Sequence, residues 1–125
     1  MTGRFRVMVT GSRTWVWPDV IEDALTELFA VFAGELTVVH GDCPAGADRI
    51  ADWWCFRRGV PVERYPADWS MGRAAGYFRN AQMVESRPDR CLAFIHKRSR
   101  GASHCADLAE HSGIPTVRYE RSTEV

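Results

Sequence analysis

The sequence predicts an α/β fold, a single Rossmann-like domain with a mostly parallel five-stranded sheet and helices on both faces. Three observations lead to this prediction. Strand and helix patterns alternate along the whole chain, an order that produces right-handed βαβ crossovers. Three of the strand segments are rich in valine or continuously apolar, as strands buried on both faces are. The length of 125 residues suits one domain, and we assign residues 1–125 to it.

The first half of the chain contains three predicted strands and two predicted helices. Residues 5–10 (FRVMVT) form a valine-rich strand, and residues 18–32 carry apolar side chains at helical spacing after an initial proline. Residues 36–40 (LTVVH) form the second strand. A second helix over residues 47–58 is followed by a glycine stop, and residues 60–66 (VPVERYP) form the third strand.

The second half repeats this alternation. Residues 73–85 have a helical pattern, and residues 90–96 (RCLAFIH) form a strand whose centre is almost entirely apolar. A helix over residues 103–112 ends before a glycine, and residues 114–120 (IPTVRYE) form the last strand. The five strands are therefore expected to lie between two layers of helices.

Chemically informative residues stand directly after three of the strands. GSR (11–13) follows the first strand, GDCPAGAD (41–48) the second and KRSRGAS (97–103) the fourth. In such sheets ligands bind at the carboxyl ends of the strands, so these turns are expected to meet at one edge. Glycine lets the backbone approach a ligand, the first turn of a helix offers free N–H groups to an anion, and arginine matches phosphate oxygens. The pattern predicts a site for a phosphorylated ligand.

The aspartates of the second turn need a different role, because a carboxylate pointing at a phosphate would repel it. Asp48 lies in the predicted first helical turn, where it can cap the helix or pair locally. Alternatively, one of the two acids, Asp42 or Asp48, accepts a hydrogen bond from a sugar hydroxyl. The ordinary alternative is that both are helix-start residues without a ligand.

Residues 66–83 (PADWSMGRAAGYFRNAQM) add further candidates. Gly76 interrupts a helical pattern at a cost of roughly 1 kcal/mol relative to alanine, which indicates a conformational need or a close approach. Arg79 and Asn80 are expected to reach the strand edge, and Trp69 either stacks on a base or fills the core under a loop. The predicted ligand-binding residues are Gly11, Ser12, Arg13, Gly41, Asp42, Gly46, Ala47, Asp48, Arg79, Asn80, Ser99, Arg100, Gly101, Ala102 and Ser103, with Trp69 as the base-stacking candidate.

Four stretches together resemble a known family. GSR, GDCPAGAD, PADW followed by GRAAGYFRNAQM, and SRGAS resemble in order and spacing the SLOG superfamily, in particular its YspA-type, cpYpsA-related branch of phages and actinobacteria. The resemblance spans residues 6–118 and implies a Rossmann-like nucleotide-binding fold with a role in sensing nucleotide-derived signals. Superfamily relatives include cytokinin-activating phosphoribohydrolases, the ADP-ribose-sensing modules of TRPM channels and the DNA-processing protein DprA. The family positions carried over are Gly11, Ser12, Arg13, Gly41, Gly46, Asp48, Gly76, Arg79, Asn80, Ser99, Arg100 and Gly101.

The chain departs from the family pattern at one important place. The phosphoribohydrolase branch carries a PGGxGTxxE motif whose glutamate takes part in breaking the N-glycosidic bond. Aligned through Gly101, this chain has Ala102 in place of the threonine and Cys105 in place of the glutamate, with Ser103 as a hydroxyl one position later. The departure favours a non-enzymatic role, although it leaves the question of catalysis open.

Three functions compete on this basis. The favoured prediction is a binding module that senses or sequesters a nucleotide or a nucleotide-derived ligand. The first alternative is an N-glycosidic hydrolase, for which Asp42 and Asp48 are the candidate acids in these turns. The second is single-stranded nucleic acid binding through tryptophans and the basic run 97–100, against which the balance of 16 basic and 16 acidic residues counts.

Composition limits the remaining possibilities. No apolar run reaches the roughly 20 residues that a bilayer span needs, and the start MTGRFRVMVTG lacks the apolar core of a signal peptide. We therefore expect a cytoplasmic protein with reduced cysteines and no membrane partner. His40 and Cys43 have a spacing that zinc sites use, but both are explained by the strand and loop that hold them, so no metal and no cofactor are expected. Trp53 lies beside the apolar face of its helix, which indicates either a homo-oligomer interface or packing under a neighbouring loop, and a homo-oligomer is the prediction.

Overall fold

The computed structural model describes residues 4–123, over which five strands and four α-helices alternate in the predicted order. The strands are β1 (Phe5–Gly11), β2 (Leu36–His40), β3 (Val62–Arg64), β4 (Arg90–His96) and β5 (Thr116–Arg121). The helices are α1 (Pro18–Val31), α2 (Ala47–Arg58), α3 (Ala75–Glu85) and α4 (Arg100–His111). A short 3₁₀ turn over Trp69–Met71 precedes α3.

The sheet has the order β3-β2-β1-β4-β5, and every neighbouring pair of strands is parallel. The predicted α/β fold class is confirmed, and the sheet is wholly parallel because each connection crosses over through a helix or a longer loop. The chain moves outward from β1 to β3 and then returns to place β4 on the other side of β1. The carboxyl ends of β1 and β4 therefore flank the point at which the strand order reverses, where α/β sheets open a crevice.

Two hydrophobic clusters cover the two faces of the sheet. Val7 and Val9 of β1 face the cluster that contains α1 and α2, whereas Met8 between them faces the cluster that contains α3 and α4. Each of these three side chains is fully buried, which stabilises the fold by roughly 1.5–3 kcal/mol per side chain. This two-sided burial is the physical reason for the valine-rich, non-alternating strands in the sequence.

Helix α4 begins earlier than its sequence predicts. It starts at Arg100 rather than residue 103, because Ser99 takes the N-cap position and its carbonyl accepts a hydrogen bond from the Ser103 N–H at 3.1 Å. Gly101 and Ala102 consequently lie in the first helical turn and not in a loop. Helix α3 begins at Ala75 instead of residue 73, so its predicted first turn is irregular.

The outer strands also differ from their predicted bounds. Strand β3 is shortened to three residues, compared with the predicted 60–66, and the flanking prolines cannot donate to the ladder. Strand β5 covers Thr116–Arg121, shifted toward the C-terminus relative to the predicted 114–120. Both strands lie at edges of the sheet, where pairing on one side alone leaves the ends less strongly specified.

Candidate functional site

A cavity of about 380 Å³ opens at the carboxyl edge of the sheet, at the point where the strand order reverses. Its walls come from the turn after β1, the start of α2, the 3₁₀ turn and first half of α3, and the start of α4. The volume lies within the range of about 300–1,000 Å³ that small-molecule sites occupy. The three turns singled out in the sequence therefore meet around one concave space.

The turns after β1 and β2 are locked to each other through Gly46. Its φ of 75° is in the left-handed region, and an added Cβ would collide with the backbone of Ser12 and Arg13. Beside it, the Ala47 N–H donates to the Ser12 carbonyl at 3.2 Å. Glycine at position 46 is thus required by the packing of one turn against the next.

The turns after β1 and β4 are joined through the Ser12 hydroxyl. This oxygen accepts a hydrogen bond from the His96 N–H at 2.8 Å and lies 2.5 Å from the Ser99 hydroxyl oxygen. The Ser12 N–H donates to the Phe94 carbonyl at 2.9 Å. Ser12 is buried, so these bonds are shielded from water and fix the position of the Ser99 hydroxyl at the cavity.

Arg79 and Asn80 connect α3 to the same edge, as their positions in the sequence predicted. The buried Arg79 guanidinium donates to the carbonyl of Gly41 and, through Nε, to the Asn80 Oδ1 at 3.0 Å. The Asn80 amide in turn donates to the Gly101 carbonyl at 3.4 Å. Within residues 4–123 the Nη2 group of Arg79 has no acceptor, and the side chain lines the cavity.

The two aspartates of the second turn face different surroundings. Asp48 is buried in the cavity wall, where its Oδ2 accepts the Cys43 N–H at 3.2 Å and burial raises the pKa of the carboxyl above its usual range. Asp42 has a φ of 58°, is exposed, and stands 4.0 Å from Arg64 outside the cavity. Asp48 is therefore the acid that a bound ligand would meet.

The predicted binding residues fall into two groups, those that line the cavity and those that do not. Those that line the cavity are Gly11, Ser12, Arg13, Asp48, Trp69, Arg79, Asn80, Ser99, Gly101 and Ala102. Those that do not line it are Gly41, Asp42, Gly46, Ala47, Arg100 and Ser103. Among the latter, Gly41, Gly46 and Ala47 shape the turns through backbone contacts, and Arg100 is exposed on the outer side of α4.

Several lining residues were not among the predicted binding residues. They are Thr10, Thr14, Cys43, Arg73, Gly76, Tyr77 and Met83, of which Gly76 was carried over as a family position. A signal for two of them was present, because Arg73, Gly76, Tyr77 and Asn80 recur at spacings of three and four, which places them on one helical face. Cys43 lies in the GDCPAGAD turn that the sequence singled out, although no feature marked the cysteine itself, and Thr10 had no comparable signal.

Thr14 presents a hydrogen-bond acceptor to the cavity. Its Oγ1 lies 2.7 Å from the Nδ1 of the buried His96, and the Nε2 of His96 faces the Thr123 carbonyl at 3.0 Å. A carbonyl can only accept, so Nε2 carries the ring proton and Nδ1 accepts the hydroxyl proton of Thr14. The lone pairs of Thr14 Oγ1 remain for a donor such as a hydroxyl group.

Trp69 lies at the mouth of the cavity and not in the core. Its side chain is 55% exposed, which excludes the alternative role of a core plug. The Arg13 guanidinium carbon lies 5.3 Å from the centroid of the Trp69 ring, a cation–π geometry that spans the opening. The mouth therefore combines a flat aromatic surface with a cation.

The charges that line the cavity favour an anion. Three arginines line it (Arg13, Arg73 and Arg79), whereas Asp48 is the one acidic lining residue in the described chain. Because burial raises the pKa of that acid, its charge opposes the arginines weakly. The formal net charge of the whole protein is zero, so the composition alone does not indicate this local excess of positive charge.

Cys105, the residue at the position of the missing glutamate, lies outside the cavity. It is fully buried against Met8 and Val39, in the cluster between the sheet and helices α3 and α4, and burial raises the pKa of its thiol to about 11. A neutral thiol in the core cannot replace a catalytic carboxylate. Position 105 therefore serves packing in this chain.

The other cysteines and the helices carry no further site. All four cysteines are free thiols, and Cys55, Cys91 and Cys105 are buried. Within residues 4–123 no cluster of three histidine, cysteine or acidic side chains has a geometry suited to a metal ion. None of the helices in the same range has the length and apolar character needed to cross a bilayer.

A wholly parallel sheet with an arginine-lined cavity at the point where the strand order reverses places the protein among the small Rossmann-like domains. The chain belongs to the YspA, cpYpsA-related SLOG family, whose family model matches residues 5–72. It is similar to the Gene 61 protein of Mycobacterium phage D29, with 40% identity over 120 residues that cover 91% of this chain and 95% of the relative. No solved structure matches the chain.

The family that the sequence resembles is thereby confirmed. Membership of this family suggests a nucleotide-related ligand-binding or related function. The matched segment contains the turns after β1 and β2 together with Trp69, whereas Arg79 and the start of α4 lie beyond it.

Proposed function

We propose that the protein binds a nucleotide or a nucleotide-derived phosphorylated ligand in the cavity at the carboxyl edge of the sheet, and that it senses or sequesters this ligand. The observation that carries the proposal is the presence of two glycines in the cavity wall, Gly76 and Gly101, that the packing of the protein does not require.

Gly76 and Gly101 lie inside helices α3 and α4. A Cβ added to Gly101 would have no heavy atom within 4 Å, and one added to Gly76 would meet Trp69 at 3.6 Å, an ordinary van der Waals distance. Neither residue has the positive φ that demands glycine, and helical glycine costs roughly 0.5–1 kcal/mol relative to alanine. The close approach of a ligand to both helices explains why this cost is tolerated.

A phosphate fits the end of the cavity formed by α4. The backbone N–H groups of Gly101 and Ala102 have no acceptor within residues 4–123, and they stand at the positive end of the helix dipole. The Ser99 hydroxyl and the Arg13 guanidinium line the same space. The guanidinium can donate charge-assisted hydrogen bonds to a phosphate, and the hydroxyl can donate a neutral one. These groups together match the oxygens of one phosphate.

The nucleoside part of the ligand fits the mouth of the cavity. The exposed ring of Trp69 offers a stacking surface for a base, and Thr14 offers an acceptor for a sugar hydroxyl. The Arg13 guanidinium covers the Trp69 ring. Binding would exchange this intramolecular contact for stacking on a base and pairing of Arg13 with phosphate.

A thermal-shift screen over a panel of nucleotides tests the proposal. A ligand at 100 times its dissociation constant is expected to add about 2.7 kcal/mol to the free energy of unfolding. Arg13→Ala should abolish the shift because Arg13 lines the cavity, whereas Arg100→Ala should preserve it. The second variant is a matched control, since it removes the same charge from the same edge but from outside the cavity. The absence of a shift with every nucleotide would contradict the proposal.

A second candidate function is cleavage of the ligand at its N-glycosidic bond. One observation favours it, namely that Asp48 stands in the cavity wall with a pKa raised by burial, as general acids do. The burial of Cys105 away from the cavity argues against it. Chromatography of each bound nucleotide after incubation separates the two functions, and the binding proposal predicts that the nucleotide is recovered intact.

A further inference from the structure

Asp48 is a buried carboxyl group without a cationic partner. Its side chain is 5% exposed, the Cys43 N–H donates to its Oδ2 at 3.2 Å, and the Cys43 thiol also interacts with the carboxyl group. No arginine, lysine or histidine nitrogen in that range lies within 4.0 Å of its oxygens. Apart from Cys43, no residue within 4–123 donates a hydrogen bond to the Asp48 carboxyl group, and Asp48 lines the cavity.

The charged and titratable groups around Asp48 come from four directions. They are His40 on β2, Cys43 in the turn after β2, Arg79 on α3 and Cys105 on α4. The guanidinium of Arg79 is directed to the carbonyls of Gly41 and Tyr65 and to Asn80. It therefore acts on Asp48 at a distance and not as a salt-bridge partner.

His40 also acts on Asp48 at a distance and not as a salt-bridge partner. Its Nδ1 accepts the Asp42 N–H at 2.9 Å, so the ring proton resides on Nε2, which faces Asp52 at 2.8 Å. The ring of His40 is therefore engaged by Asp42 and Asp52 and not by Asp48. The thiols of Cys43 and Cys105 have pKa values raised by burial, so they carry no charge near neutral pH.

Ionising such a group is unfavourable. A buried charge without a partner costs several kcal/mol, and carboxyl groups in this situation take up a proton instead. The direction of the pKa shift agrees, since burial outweighs the lowering contributions of His40, the Cys43 N–H and Arg79. A protonated Asp48 carries no negative charge, so it would not repel a phosphate bound beside it.

We infer that Asp48 is held as a neutral carboxylic acid in the cavity wall and donates a hydrogen bond to the bound anion. The identity of that anion rests on the proposed function. In this role Asp48 determines specificity: it favours ligands that place an acceptor oxygen against it, and it is not the acceptor for a sugar hydroxyl that the sequence left open as an alternative. The strength of binding is then coupled to pH.

The protonated form of Asp48 is the form that binds the anion, and this fixes the direction in which affinity changes with pH. Affinity for the anion is highest below the pKa of Asp48 and falls as pH rises through it, by about tenfold per pH unit for one linked proton. Asp48→Asn keeps an N–H donor of similar shape and removes the titration. The variant should therefore bind well at every pH.

The protonation state can be measured without any ligand. Infrared difference spectra of the wild type and Asp48→Asn at neutral pH should contain the carbonyl stretch of a carboxylic acid, lost in the variant and retained in Asp42→Asn. A ¹³C NMR titration of the aspartate carboxyl carbons in the wild type gives the same information if a variant fails to fold. A spectrum in which every aspartate is ionised at neutral pH overturns the inference.

The effect on binding is measured with AMP as the probe, from pH 7 upward so that its phosphate remains a dianion. Wild-type affinity should fall with pH once Asp48 ionises, while the Asp48→Asn affinity stays level. Equal pH profiles for the two proteins, or loss of binding in Asp48→Asn, overturn the donor role. If the infrared signal of a protonated Asp48 is found but AMP does not bind, the result supports the protonated state and counts against AMP as the ligand of the proposed function. If AMP binds while Asp48 is ionised, the result overturns the inference and supports the proposed function.

Discussion

Asp42 and Asp48 belong to the same turn after β2, but the side chain of Asp42 is exposed and that of Asp48 is buried. The φ angle of Asp42 accounts for this difference. The φ of 58° at Asp42 directs its side chain to Arg64 at the surface, whereas Asp48 in the first turn of α2 is buried against Cys43. Both residues were predicted as ligand-binding or acidic candidates, and the sequence did not distinguish them. A positive φ at a residue other than glycine arises from tertiary packing, which the local sequence does not specify.

The pH dependence of stability provides a prediction at the residue scale. Burial raises the pKa of Asp48 in the folded protein above the usual 3.8 of an exposed aspartate carboxyl. The stabilisation from its proton is fully present below that value and is lost as pH rises through the folded pKa. Asp48→Asn should therefore gain stability relative to the wild type as pH rises from about 4 toward neutral, as measured by urea unfolding at several pH values. A difference that stays constant over this range would contradict the raised pKa.

Gly101 provides a second prediction at this scale. Gly101→Val should fold with nearly unchanged stability, because the added side chain meets no protein atom within 4 Å at its Cβ and the φ is not positive. Nucleotide binding should be lost, since the side chain enters the space assigned to the phosphate. Calorimetric titration and thermal unfolding measure the two effects. Equal nucleotide affinity in the variant would show that this wall is not the binding surface.

The helices and strands were predictable where local signals were strong. Pro18 at the first position of α1 and Gly59 after α2 are local signals that agree with the observed ends. The start of α4 was placed too late, because a glycine in the run RSRGAS resembles a loop, whereas the Ser99 N-cap and two preceding residues with positive φ set the helix start. Those two residues, Lys97 and Arg98, are not of a type that favours the left-handed region.

The C-cap of α2 gives a prediction at the element scale. Gly59 has a φ of 69°, and the Val60 N–H beyond it donates to the Cys55 carbonyl at 2.9 Å. Gly59→Ala should destabilise the protein by about 1 kcal/mol, because alanine is strained in this conformation although the surrounding space is open. Gly59→Asn is the control and should cost less, since asparagine tolerates the left-handed region better. Urea unfolding of the three proteins compares them, and equal stability of wild type and Gly59→Ala would contradict the capping role.

At the scale of the whole molecule, the sequence predicted the layers but not their arrangement. The alternation of elements and the apolar strands indicated a parallel sheet between helices, which is confirmed. The strand order was not encoded in any local pattern, because it depends on which crossovers pack together. The position of the cavity follows from that order, and so do the contributions of residues such as Thr10 and Cys43, which only the three-dimensional fold brings to the site.

Self-association stays a prediction at this scale. Trp53 and Phe56 on α2 are 51% and 74% exposed, and their rings stack with centroids 5.4 Å apart. If this pair forms the interface predicted from Trp53, light scattering coupled to size exclusion should give a mass above that of one 14.1 kDa chain. The double variant Trp53→Ser, Phe56→Ser should then be monomeric. A wild type that elutes as a monomer at all concentrations would contradict the prediction.

Amide NMR of the protein titrated with a nucleotide from the panel tests the central claim most directly. The proposed site predicts that the backbone amides of Gly101 and Ala102 and the indole N–H of Trp69 shift together, with one dissociation constant, while the indole of Trp53 on the outer side of α2 stays unchanged. Shifts confined to the surroundings of Trp53, or an unchanged spectrum with every nucleotide, would contradict a ligand site at the carboxyl edge of the sheet.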